Sequence, residues 1–84
     1  MFGKPVDALP PLDQALDSAA SLKPGTWESV ETLSMLAVEA KGRPDAQGLY
    51  ESALSASKSL RPGSWESVRA LTWLARAERE LHNA

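Results

Sequence analysis

Acid–base or metal chemistry in this 84-residue chain would have to be built from residues such as the carboxylate pairs Asp13 with Asp17 and Glu78 with Glu80, and from its single histidine, His82. A general acid and base need carboxylates whose environments push their proton affinities apart. Four residues apart, or two, these acids read instead as solvated helix faces. His82 falls near a helix C-terminus, where a cation is favoured, and the chain has no second histidine to join it as a metal ligand. With no cysteine there are no disulfides, thiolate metal sites or cysteine nucleophiles. No phosphate-cradling glycine loop and no nucleophile–base arrangement occurs. The reading is therefore of a non-enzymatic chain with no cofactor, and a catalytic or ligand-binding bundle is the remote alternative.

The chemistry that the sequence does suggest is recognition. Plotted at 100° per residue, a charged stripe of Glu66, Arg69, Arg76 and Glu80 carries Trp73 in its middle, and an equivalent stripe of Glu28, Glu31 and Val38 carries Met35. Tryptophan and arginine are enriched where binding energy concentrates, and methionine adapts to varied surfaces. Such a stripe fits a partner-binding surface. The competing expectation is that Trp73 and Met35 pack against a neighbouring helix or a second copy of the chain.

What must position these residues is a set of helices related by an internal repeat. Leu22-Lys23-Pro24-Gly25-Thr26-Trp27-Glu28-Ser29-Val30 recurs as Leu60-Arg61-Pro62-Gly63-Ser64-Trp65-Glu66-Ser67-Val68, an offset of 38. At that offset residues 7–37 match 45–75 at 15 of 31 positions. The copies span about 7–44 and 45–82 of one expected domain. Helical periodicity fills each copy: Leu12, Ala15, Leu16 and Ala19 form one stripe, and Leu49, Tyr50, Ala53, Leu54 and Ser57 its later counterpart. Trp27, Val30, Leu33, Ala37 and Ala40 form another, echoed by Trp65, Val68, Leu71 and Ala75. On the last helix that side (with Thr72) and the side bearing Ala70, Leu74, Ala77 and Leu81 both read as buried, with Trp27 and Trp65 each stapling a turn to the helices below.

Punctuation separates the segments. Pro24-Gly25 and Pro62-Gly63 stop one helix, after which Thr26 or Ser64 can accept from the free N–H groups of the next, with Glu28 or Glu66 at its positive end. Gly42 suits a left-handed cap, and Pro44 or Asp45 a helix start. The pattern predicts an all-α fold of four antiparallel helices at about 11–22, 27–41, 45–60 and 65–82, joined by short loops.

Taking the second and third helices as one hairpin, the pattern resembles the tetratricopeptide repeat. Ser34, Ala46 and Ala53 meet that family's small-residue positions, Tyr50 its aromatic position, and Ala53-Leu54 its Ala-Leu pair. Val30 and Ala37 depart from it, standing where large aromatics are usual, and the period is 38 rather than the family's ~34. The resemblance implies a trailing helix, one complete hairpin and a leading helix. It also implies that Glu28, Glu31, Met35, Val38, Glu66, Arg69, Trp73 and Arg76 line a concave groove for a protein partner. So short an array buries little apolar surface alone, so self-association, as a homodimer, is a further expectation.

Composition narrows the partner class. A net charge of −2 with nine Lys plus Arg argues against nucleic acid. No segment has the apolar length of a signal peptide or membrane span, which points to a cytoplasmic protein with no membrane partner. Only residues 1–11 read as lying outside the folded part. The expected function is an adaptor or assembly module that binds a protein segment or itself. The alternative is a small regulatory or inhibitory protein, including one of phage or mobile-element origin, that blocks a larger machine.

Overall fold

In a computed structural model, which describes residues 9–82, the chain forms four α-helices: α1 Pro11–Ala20, α2 Trp27–Glu39, α3 Asp45–Lys58 and α4 Trp65–His82. No strand occurs among the described residues, so the fold is all-α. Of the segment 1–11, residues 1–8 lie outside the described part. Leu9 and Pro11 do not fit the expectation of an unfolded lead: Pro11 opens α1 from the first-turn position proline favours, and Gln14 Nε2 donates back to the Leu9 carbonyl at 2.7 Å.

The first three helices each end two residues before the sequence estimate. Their last turns tighten into i→i−3 bonds: the amides of Leu22, Lys41 and Leu60 donate to the carbonyls of Ala19, Val38 and Ser57. Gly42 then reverses the chain at φ +91°, a region in which a β-carbon is strained.

The starts of α2 and α4 are built alike. Thr26 Oγ1 accepts from the Ser29 amide and Ser64 Oγ from the Ser67 amide, both at 3.1 Å. In return Ser29 Oγ accepts from the amides of Gly25 and Thr26, and Ser67 Oγ from those of Gly63 and Ser64, at 3.0–3.1 Å. Each reciprocal box satisfies several otherwise free N–H groups. Thr26 and Ser64 thus act as expected; the serines that close the boxes complete the set.

Helix α2 is the centre of the packing. It lies against α3 and α4 along much of its length and touches α1 far less. Val30 and Ala37 of α2 and Ala40 at its C-cap are fully buried, as are Ala53 of α3 and Ala70 and Ala77 of α4, with Tyr50 and Leu74 nearly so. Trp27, Leu33, Leu49, Leu54 and Leu60 pack around this cluster. Its largest completely enclosed side chains are only Val30, Ser34 and Ser67. The helices therefore approach through small residues. The polar cross-links fix direction: Glu31–Arg69 and Lys41–Glu80 run up α2 and α4 together, so these helices are parallel neighbours. Trp27 Nε1 donating to the Arg61 carbonyl at 3.1 Å, and His82 Nε2 beside Gln47 Oε1 at 2.9 Å, place α3 antiparallel between their ends.

One expectation fails at α4. Ala70, Leu74 and Ala77 are buried, but the Trp65 side is not: Trp65 is 87%, Val68 52% and Leu71 38% exposed, with Thr72 and Ala75 exposed beside them. Their counterparts on α2 are covered by α3 and α4, whereas no later helix among the described residues covers α4. Trp27 staples its turn as expected, and Trp65 does not. Helical periodicity alone reports that a face is apolar, not that an element exists to bury it.

Candidate functional site

The parallel stacking of α2 and α4 brings the two charged stripes onto one surface. Arg69 Nε donates to Glu31 Oε1 at 3.1 Å across the two helices. About one turn further along each helix stand Met35, 40% exposed, and Trp73, half-buried. The guanidinium carbon of Arg76 lies 5.4 Å from the centroid of the Trp73 ring, a cation–π geometry that orients both side chains. Val38 is half-buried and packs against the core, so it forms the floor of this surface rather than a reaching contact. Lys41 Nζ and Glu80 Oε1, 3.3 Å apart, close its far end.

Two of the eight predicted residues stand apart. Glu28 and Glu66 are exposed in the first turns of α2 and α4, where the helix dipole favours them. Glu28 lines the groove between α2 and α1 with Ala19, Leu22 and Thr32, two turns before Met35 along the same helix. The six others gather as one apolar pair, Met35 and Trp73, set among charges that are partly paired.

The other side of Trp73 opens on a shallow cleft shared with Val68, Leu71, Ala75, Arg76 and Arg79. The sequence pattern placed Val68, Leu71 and Ala75 of this strip in the core. The signal that could have identified it is positional: it repeats the α2 face at the last helix, where the described residues hold no third copy.

Tyr50 is buried and meets the His82 ring edge-on, with centroids 5.0 Å apart. Its burial, and secondarily the Glu78 carboxylate, raise its pKa above the ordinary 10.0. Asp13 is held by Arg43 at 2.6 Å, tying α1 to the loop before α3. Ser34 Oγ is buried without a hydrogen-bond partner. Among the described residues no group of three or more His, Asp or Glu is placed to hold a metal ion, and no helix is long and apolar enough to cross a membrane. No protein-family model, curated protein or solved structure matches the chain.

Proposed function

We propose that this chain is a non-enzymatic interaction module of tetratricopeptide-like construction that binds a protein segment on the joint α2–α4 surface. The observation that supports it best is the Glu31–Arg69 pair bridging the helices. That pair sets equivalent positions of the two copies side by side, so that Met35 and Trp73 form one apolar patch within a rim of Glu31, Arg69 and Arg76. Fully desolvated aromatic and arginine contacts dominate binding energy, and rim charges choose among partners. The fitting partner presents one or two apolar side chains flanked by charges of both signs.

Affinity capture from the native host tests the reading. Trp73→Ala should remove a captured protein that the unmodified chain retains, with the helical circular dichroism preserved. Because Trp73 is half-buried, Met35→Glu, at an exposed position, provides the second arm and should remove the same protein. Capture unaffected by Met35→Glu and by Trp73→Ala in a folded chain would refute the surface.

A further inference from the structure

Five large apolar side chains are exposed among the described residues: Leu22, Met35, Trp65, Val68 and Leu71. Met35 belongs to the lateral surface. The other four share a property that an arbitrary exposed set would not have, because each is the 38-residue mate of a residue that is packed inside the chain. Trp65 corresponds to Trp27, Val68 to Val30, Leu71 to Leu33 and Leu22 to Leu60; Val30 is fully buried, and Trp27, Leu33 and Leu60 pack against the core.

The four fall at opposite ends of the molecule. Trp65, Val68 and Leu71 lie on α4, the last helix among the described residues, and Leu22 lies just beyond α1. Inside the chain the Trp27–Val30–Leu33 face of α2 is closed by α3, by the turn bearing Leu60 and Arg61, and by α4. The structure thus contains both halves of that joint a second time, unjoined. One half is the α4 face. The other is α1, the turn bearing Leu22 and Lys23, and α2.

We propose that the open α4 face of one molecule docks on the α1–α2 end of another, repeating between molecules the packing of α2 on α3 and α4. The register predicts the contacts. Trp27 Nε1 donates to the Arg61 carbonyl, so Trp65 donates to the Lys23 carbonyl of the neighbouring copy. The Glu31–Arg69 pair carries over as Arg69 of one copy facing Glu31 of the next, which keeps opposite charges opposed. Charge selects the same occupant more broadly. Helices α1 and α2 hold Asp13, Asp17, Glu28, Glu31 and Glu39 and no lysine or arginine, while Arg76 and Arg79 border the open face of α4.

The joint differs from its internal template at several places, among them Pro11 and Leu12 of α1 where α3 has Leu49 and Tyr50. Thr32 and Glu39, both exposed, stand where α4 has the buried Ala70 and Ala77. These polar groups keep the α1–α2 end soluble and make the intermolecular joint weaker than the internal one, so assembly depends on concentration. Because the two surfaces differ, the contact is heterologous and leaves each product with one end of each kind free.

The end-to-end joint reuses the charges Glu31, Arg69 and Arg76 that rim the Met35–Trp73 surface, but its apolar anchors, Trp65, Val68, Leu71 and Leu22, lie outside the Met35–Trp73 pair. Sedimentation of the full chain across a hundredfold concentration range should show average mass rising past the dimer. Trp65→Glu disables one end and Leu22→Glu the other; both sites are exposed, so each variant keeps its helical circular dichroism. Each alone should be monomeric, with association weakened more than tenfold, and mixing them should restore a one-to-one complex that grows no further. A Leu22→Glu variant that still dimerises with itself would show a face-to-face contact of α4 instead, overturning the proposal. A strictly monomeric unmodified chain would overturn it too, and partner capture lost on Met35→Glu would then leave the lateral surface standing.

Discussion

Trp27 and Trp65 occupy the same place in two copies of one sequence, and replacing each by alanine should have very different consequences for a monomer. A tryptophan buries about 150–250 Å² when enclosed, and burial contributes about 25 cal/mol per Å². Trp65, 87% exposed, hides only about an eighth of that area, so Trp65→Ala should cost ~0.8 kcal/mol or less. Trp27 is half-buried against the core and donates to the Arg61 carbonyl. Its loss combines ~2 kcal/mol of burial with up to ~1 kcal/mol for the hydrogen bond. For a domain of this size 1 kcal/mol moves the midpoint by about 4–8 °C, so Trp27→Ala should lower Tm by roughly 10–20 °C and Trp65→Ala by less than about 6 °C. Thermal melts followed by circular dichroism, at a concentration where sedimentation shows monomer, make the comparison. Equal losses would mean that Trp65 is covered in the folded monomer, and the open face of α4 would not exist.

Buried polar groups lead to two more outcomes. Ser34→Ala removes a hydroxyl that has no partner in the core, so it should leave stability unchanged or raise it by up to about 1 kcal/mol, read from urea midpoints. Tyr50 is the only tyrosine, so its ionisation can be followed directly by ultraviolet absorbance. With its folded pKa raised above 10.0, its contribution to stability is complete below pH 10 and is lost as pH rises through the folded value. Tyr50→Phe should therefore flatten the fall in stability above pH 10, and a tyrosine titrating at or below its ordinary pKa would contradict that.

Much of the architecture was legible because it is local. The Pro-Gly turns, Thr26 and Ser64 as caps, Gly42 as a reversal and the 3.6-residue stripes each act within a few residues, and the four helices begin where these signals place them. The joint placement of Glu31, Met35, Arg69 and Trp73 was legible for a different reason: equal offsets along stacked parallel helices put equivalent residues beside each other. The stripes could not show which apolar face has a neighbour. Val30 and Val68 sit in nearly identical local sequence, yet one is enclosed and the other half exposed. The difference lies in the neighbours: α3 and α4 pack over Val30, and no described helix packs over Val68. Glu28 shares the Met35 stripe but borders the groove beside α1, which a stripe drawn on one helix does not show.

The enclosed side chains of this protein are alanine, serine and valine, and that reverses the usual rule for mutational tolerance. In a core built on leucine and phenylalanine, truncation is the damaging change, because it opens a cavity. Here Ala37, Ala53, Ala70 and Ala77 have almost nothing to remove, and enlargement is what the interior cannot absorb, since each added methylene must push two backbones apart. Variation compatible with the fold is then confined to the rims and ends of the helices. Those are the surfaces that can change without disturbing the scaffold.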